Sequence, residues 1–566
     1  MDRIELAENV TPDHLQERVD FLDEIKNMER KKLRKSLVCG VNENPPAFMT
    51  VLLTIQNLVM TVTGIILVVN VLAPKLCILP EDPAQAYLLS TSVMMAGIGT
   101  LFQTLVGVRI PIVQNSGFVY MTCLQSMFSL PGWQCPSDVD LFSMGTDART
   151  LEWQHRVRSV QGAIIVIGLV QMFLGYSGVI GKAIKYITPL TVVPTMCLIG
   201  LLVIQKGVIL MSGNWTAAIF TLCLLTIFSQ YLRKVAISFP IYSSVKGFIL
   251  VRFKIFALFS ILFSVGFMWI ACVYMTFKNH LLPTDPANTD SKYGIFYNAH
   301  VFRLPYPFQW GPPIFQMNII LAMLPALLTS IVESVGNYYT CSKFAHLTPP
   351  PVSAVNRGIG VQGINLILAG FLGTGSGISA SGENVGNIGI TRVCSRNVIM
   401  CTGCLMILVS PFTKIIALFL TLPDPLLGAV TSVLLVLITA VALSNLQFIN
   451  LNSIRNMYIL GMSIFFGLVV PMYVSSLDEN FIKTKYEIVN EVLYVYLCSG
   501  MFIGGSIGFI LDNTIPVDYD DFYDKNAYYH MHNNDFKSSI EIEDEQIYNI
   551  SDRLYEMINC ILSVFV

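Results

Sequence analysis

The chain has 566 residues, of which 54% are hydrophobic and only 13% charged, with a mean hydropathy of +0.61 and a formal net charge of −2. A soluble globular chain carries roughly 25% charged residues, so this composition is that of a polytopic membrane protein, and the near-zero net charge argues against a nucleic-acid partner. The thirteen Cys are scattered without CxxC pairs or metal-ligand spacing, and no P-loop or nucleophile–base pair appears, which sets a metal centre and an enzyme aside.

In chain order, the first 46 residues are charged (MERKKLRK at 28–35) and precede any apolar run, so the amino terminus is expected to stay in the cytosol without a cleaved signal. A span needs about 20 mostly apolar residues. Candidates are 48–70, 86–106, a broken one at 111–130, 157–177, 184–204, 215–232, 254–277, 315–342, 359–373, a broken one at 378–393, 397–420, 424–443, 454–472 and 489–511, fourteen in all. Starting inside, the even-numbered connections receive Arg109, Lys182, Lys185, Arg233, Lys234, Lys246, Arg252, Lys254, Lys343, Arg357, Arg392, Arg396 and Arg455. The opposite loops at 71–85, 373–378 and 421–424 hold only Lys75, so both termini are read as cytoplasmic. Arg156 and Arg158, just before the fourth span, are exceptions. The external loops at 131–155 and 278–313 are polar and expected to be ordered only in part; Cys77 and Cys135 can pair if both face outside. The tail from 512 is acidic and Tyr-rich, and its last residues, INCILSVFV, are too short to span.

The stretch Gly377–Arg396, GISASGENVGNIGITRVCSR, is too polar and glycine-rich for an ordinary span, yet lies deep in the hydrophobic region. Irregular backbone at membrane depth must be buried in protein or line a cavity, and an intramembrane acid such as Glu383 marks a functional site by default; the plainer reading is a polar loop between two spans. The third span carries Gln114-Asn115-Ser116-Gly117 and the tenth Glu383-Asn384-Val385-Gly386, each after a short β-prone run and before a half-length helix. Gln56-Asn57 and Glu333 lie at similar distances upstream. Seven spans followed by seven would form an inverted repeat, with the substrate site at its interface near the midplane. The fold class is therefore an all-α polytopic membrane protein with fourteen spans in a 7+7 repeat, the third and tenth broken by short strands.

Glu383-Asn384-x-Gly386-x-x-x-x-Thr391-Arg392 resembles the ten-residue motif of the nucleobase–ascorbate transporter family at every fixed position. Segments such as PLTVVPT (189–195), VESVGNYY (332–339), PPPVSAVNRG (349–358) and LPDPLLGAV (422–430) are similar to its animal branch, which includes sodium-dependent ascorbate carriers. The resemblance implies a secondary transporter in the plasma membrane, a homodimer formed through gate domains, and elevator-like movement of a core domain. The core would be 47–178 and 314–421, the gate 179–313 and 422–511, with cytosolic tails at 1–46 and 512–566.

The resemblance also assigns the site. Glu333 and Glu383 would bind the N–H groups of a uracil or purine, and backbone donors at Gly117 and Phe118 would serve the ring carbonyls, with Phe118 packing on the ring. Asn384 and Asn57 would complete the substrate-binding set, Asn384 also bracing the break against the third-span strand; Asn115, Gly386, Thr391 and Arg392 would be structural at the helix breaks. Two departures stand out. Relatives have Gln-His where this chain has Gln56-Asn57, and an ionisable Asp or His where it has Asn337, one turn after Glu333. Asn337, with Glu333, is the candidate for a coupling ion, but Asn cannot titrate and is a weak cation ligand. No cofactor is expected beyond a coupling proton or sodium, and coupling would fall on the two acids, which in a low-dielectric pocket tend to share one proton. The favoured function is nucleobase transport; the runners-up are ascorbate transport and a transport-inactive, receptor-like or channel protein of the same fold. Ascorbate carriers have Pro where this chain has Glu383.

Overall fold

The computed structural model describes residues 34, 37–79, 82–137, 140, 143–243, 247–477, 484–516, 544 and 546–548. The basic run at 28–33 and most of the acidic tail, INCILSVFV included, lie outside the described residues. Helices of eight or more residues are α1 (Ala47–Leu72), α2 (Ala84–Leu105), α3 (Phe118–Met127), α4 (Thr146–Tyr176), α5 (Pro189–Ser212), α6 (Trp215–Ser229), α7 (Ser260–Phe277) and α8 (Leu324–Phe344). They continue with α9 (Val352–Leu372), α10 (Gly382–Thr391), α11 (Arg396–Val409), α12 (Thr413–Leu420), α13 (Asp424–Ser444), α14 (Ile454–Ser476), α15 (Glu487–Cys498) and α16 (Gly500–Thr514). Among the described residues nine helices are long and apolar enough to cross a membrane, or eleven if each of two bent pairs is one span.

Among the described residues four strands interrupt the helices. Strand β1 (Gln114–Ser116) pairs antiparallel with β4 (Ile378–Ala380), while β2 (Ile237–Ser243) and β3 (Gly247–Phe253) form a hairpin between α6 and α7. The hairpin corrects the all-α expectation: its two runs of β-branched and aromatic residues around SSVKG carried the signal. The expected span 397–420 is two helices meeting at 103°, because Pro411 between them cannot donate to the helical ladder. The span at 489–511 bends by 78° before Gly500, where an added Cβ would lie 2.2 Å from the Gly467 carbonyl of α14. The fifth helix starts only at Pro189, capped by the Thr188 hydroxyl, so 184–188 is not helical span.

Helix α4 begins eleven residues before the position expected, at Thr146 instead of 157, and so absorbs the end of the external loop. Its extension explains the charge exceptions. Arg156, although buried, bonds Glu152 at 3.1 Å, the Gln134 carbonyl at 3.2 Å and the Trp133 carbonyl, and Arg158 donates to the Pro312 carbonyl at 2.7 Å. The segment 278–313 is likewise built into the fold: Trp310 is buried, its indole donates to the Gly373 carbonyl, and the Arg303 guanidinium lies over the Tyr87 and Trp310 rings. Cys77 and Cys135 form a disulfide.

Helices α1, α2, α8 and α9 pack on the β1–β4 pair, with α4 outside them against α9 and α11 against α2 and α1, while α5 packs with α13, α14 and α16. Small residues permit the closest approach: a Cβ on Gly175 of α4 would lie 2.3 Å from Gly360 N of α9. The two sets touch where Gly336 of α8 meets Val192 and Met196 of α5, and where Gly386 of α10 meets Leu437 of α13.

Candidate functional site

The site forms where two interrupted segments meet. The β1–β4 register places Gln114 opposite Ala380 and Ser116 opposite Ile378. The ladder is extended by Gly117 N to Gly377 O and Ser381 N to Val113 O, both 2.9 Å. Gly373, at φ 76° after α9, turns the chain into this segment as a residue with a Cβ would not without strain. Because the strands are antiparallel and each leads directly into a ten-residue helix, α3 and α10 leave from opposite ends of a ladder about 10 Å long. A helix start leaves first-turn N–H groups without intrahelical partners; here Tyr120 N turns back to Gly117 O and Asn384 N is capped by Ser381, so the donors open to a bound acceptor are the first ones of each helix.

Helix α10 starts with Ser381 as its cap. The Ser381 hydroxyl accepts from Asn384 N at 3.2 Å and donates to Glu383 Oε2. This holds one carboxylate oxygen of Glu383 in the first turn, where the helix dipole favours an anion. The other oxygen, Oε1, is buried and without a partner among the described residues. Glu333, midway along α8, is 3% exposed; Glu383 is close enough to act on it electrostatically, Ser379 of β4 contacts it, and its Oε2 also lacks a partner. Two buried acids thus converge with one free acceptor each. Burying an unpaired polar atom costs about 1–3 kcal/mol, which a ligand with two N–H donors would offset.

The other predicted residues divide between this centre and its frame. Phe118 opens α3 and is buried, at 4% exposure. Gly117 does not supply a free donor: its N–H is committed to Gly377 O, so the donors of this helix start begin at Phe118. Asn337 donates from Nδ2 to Ala380 O at 3.0 Å and leaves Oδ1 unpartnered, tying α8 to the end of β4. Asn384 reaches Pro111 O at 3.4 Å, three residues ahead of the strand it was expected to brace. Asn57 accepts from Asn387 Nδ2 at 3.3 Å, which joins α1 to α10. Asn115 turns its Oδ1 onto Ser116 N at 2.8 Å, and Thr391 bonds back to Asn387 O at 2.9 Å. Arg392 is an exposed left-handed residue at φ 57°, whose carbonyl accepts from Val38 N.

Sequence reasoning missed Ser381, Ser379, Tyr120 and Gly64. Ser381 had a signal, since Ser two residues before an acid at the head of a helix is a cap. Tyr120 had none: its ring lies where a Cβ on Gly377 would be, 2.6 Å away, a contact made only by folding. Gly64 of α1 lets the helix pass over the centre, because a Cβ there would lie 2.8 Å from Asn115 Nδ2 and 3.4 Å from Glu383 Oε1. Overpacking of this kind costs about 1–3 kcal/mol. Gly64→Ala should therefore lower the melting temperature of the detergent-solubilised protein; an unchanged melting temperature would show that Asn115 yields freely.

A model described as a permease family, Xan_ur_permease, matches residues 48–475. The chain is 40% identical over 491 residues to human "Solute carrier family 23 member 2", covering 85% of this chain and 75% of that one. It is 33% identical over 512 residues to "Nucleobase-ascorbate transporter 1" of Arabidopsis thaliana, covering 88% and 92%. A solved structure titled "The overall structure of SLC26A9" aligns over 82% of this chain and 65% of its own, with a TM-score of 0.47 at 12% identity.

Proposed function

Since the chain belongs to the permease family that includes solute carrier family 23 and the plant nucleobase–ascorbate transporters, and is thus a membrane transporter and not an enzyme, we propose that its cargo is a nucleobase, uracil or a purine. The observation that carries this reading is the pair of unpartnered carboxylate oxygens, Glu333 Oε2 and Glu383 Oε1, buried at one centre. A base offers N–H donors beside carbonyl acceptors; the acids take the former, and the first-turn donors of α3 from Phe118 onward take the latter. Ascorbate, the second reading, is favoured by the likeness to "Nucleobase-ascorbate transporter 1". As an anion, it would meet two acids at a centre to which none of the residues placed there above brings a positive charge, and electrostatics counts against it.

In this proposal fourteen spans form a 7+7 repeat, with the broken third and tenth spans at the β1–β4 ladder and both termini in the cytoplasm of a plasma-membrane homodimer. The set around the ladder is the core, and the set around α5, α13, α14 and α16 is the gate, past which the core moves as an elevator. Glycine contacts such as Gly386 on Leu437 and Gly336 on Val192 provide a surface with few protruding side chains for that movement.

Coupling follows from Asn337. Its amide donates to Ala380 O, so it has no charge to offer sodium and only one free oxygen. A symporter needs a group whose ion occupancy differs between its states, and Glu333 and Glu383 are the acids left to take up a proton. Radiolabelled uracil, hypoxanthine, xanthine and ascorbate, offered to transporter-null cells expressing this chain, test cargo and coupling together. Base uptake is expected to persist when choline replaces sodium and to rise with an inward proton gradient. Asn337→Asp would set a carboxylate against Ala380 O, two acceptors between which sodium fits, and should increase sodium dependence. Uptake confined to ascorbate overturns the cargo; strict sodium dependence of the unaltered chain overturns the coupling.

A further inference from the structure

Phe48, Met49 and Leu52 of α1 face Leu258, Phe259 and Leu262, at the entry to α7, across a groove of about 200 Å³ whose lining side chains are all apolar. Met49, Leu258 and Phe259 are buried at its floor, while Phe48 is 60% exposed at its rim. The floor continues into an apolar cluster with Leu53, Val393 and Val398, the last two on either side of the start of α11. The two walls belong to different parts of the molecule. Helix α7 packs on α6 and α13, and α6 packs on α13, whereas α1 packs on α2 and β1. The helical turn Ile255–Leu258 also touches α10, the helix that carries Glu383. The groove therefore has this shape only while α1 and the entry to α7 stand as they do here.

The mouth of the groove is basic. Lys254 directly precedes the turn Ile255–Leu258 and is exposed, and Arg233 and Lys234 lie on the turn Tyr231–Lys234, which packs on it. Among the described residues none of these three is in an ion pair. The whole stretch 231–254 contains no acid. Glu43, on the approach to α1, holds its carboxylate on Gly40 N at 2.7 Å. Both α1 and α7 are long and apolar enough to cross a membrane, and both begin at the groove. Its mouth is thus at the level of lipid headgroups, and Leu52, in the second turn of α1, lies about 8 Å deeper.

We propose that this groove binds one anionic phospholipid from the leaflet in which α1 and α7 begin. An acyl chain lies between Leu52 and Leu262, and the headgroup phosphate sits against Lys254, with Arg233 and Lys234 beside it. A cavity without polar lining stays dry or takes an apolar ligand, and at this depth the ligand at hand is hydrocarbon. The basic mouth selects the anionic headgroup. A lipid held by both walls binds this arrangement of α1 and α7 better than any other, and differential affinity shifts the equilibrium toward it. The inference rests on the transporter reading, in which the two walls move past each other, but not on the identity of the cargo.

Native mass spectrometry of the purified full-length chain, delipidated and offered phosphatidylserine or phosphatidylcholine, reads occupancy without any transport. One phosphatidylserine should be retained about ten-fold or more over phosphatidylcholine, and Lys254→Gln should lower that preference about five-fold, the share of one basic residue at an anionic surface. Leu52→Trp fills the groove and should abolish the retention; Leu262→Trp does the same from the opposite wall if the first variant does not fold. Hydrogen–deuterium exchange in nanodiscs should show the amides of 255–262 slowed by phosphatidylserine relative to phosphatidylcholine. Equal retention of the two lipids, or retention unchanged in the Trp variants, overturns the site. Cross-linking of two copies through Phe48→Cys would assign the groove to a protein interface and overturn it as well. Retention as expected with exchange unchanged overturns the hold on this arrangement. Retention and slowed exchange in a chain that carries no base count against the proposed cargo and leave the lipid site standing.

Discussion

Glu333→Gln is expected to weaken nucleobase binding by about ten- to a hundred-fold, the loss of a charge-assisted hydrogen bond worth about 1.5–3 kcal/mol. The substitution keeps the size and burial of the side chain, and Oε2 has no protein partner to lose. The cost therefore falls on the ligand and not on the fold. With an amide at this position, one of the two atoms facing the centre is a donor, and a ring N–H that meets a donor is left unsatisfied. Ser379, which contacts Glu333, can accept from the new amide and so preserve the local packing. The measurement is competition by unlabelled base against labelled uptake, with the amount of transporter at the surface determined in parallel. Near-normal affinity in a well-folded variant would remove Glu333 from the site.

The reason this residue was visible in the sequence, and its neighbours were not, is physical. An acid in a long apolar run has few structural uses, so Glu383 stood out by composition, while Glu333 stood out by its spacing upstream and by the family resemblance. The β-prone runs ahead of Gly117 and Gly382 announced the interruptions, because glycine and small polar residues at membrane depth cannot continue a span. The pairing of those runs with each other, more than 260 residues apart, is a contact between segments and has no local signature. The same holds for Tyr120 against Gly377 and for Gly64 over Asn115, where only the folded chain decides which side chain needs the space. Gly117 illustrates the opposite failure. Its place at a helix start suggested a free donor, but the ladder extends one residue further than three-residue strands imply and consumes its N–H. The bend at Pro411 was legible and was passed over, since the apolar run continues through it and hydropathy does not register a missing N–H.

Glu383→Pro should abolish nucleobase uptake, by roughly a hundred-fold or more, because it removes a charged acceptor and a backbone donor together. Glu383 occupies the second position of α10, and proline is tolerated in the first turn of a helix, where the N–H has no intrahelical partner. The residue before it is Gly382, which has no Cβ to clash with the pyrrolidine ring. Ser381 loses the carboxylate that it bonds but still caps Asn384 N, so α10 keeps its start. The substitution is thus a test of chemistry more than of folding. Glu383→Gln separates the two losses: it retains the backbone N–H and one acceptor, removes only the charge, and should fall between the unaltered chain and the proline variant. With one acid gone, repulsion of an anion at the centre is reduced, so labelled ascorbate is measured beside uracil and hypoxanthine. A gain of ascorbate uptake is not required, because Glu333, Phe118 and the α1 crossing at Gly64 still shape the pocket. Base transport that survives Glu383→Pro with unchanged affinity would take this carboxylate out of the substrate site and leave its bond to Ser381 as part of a structural cap.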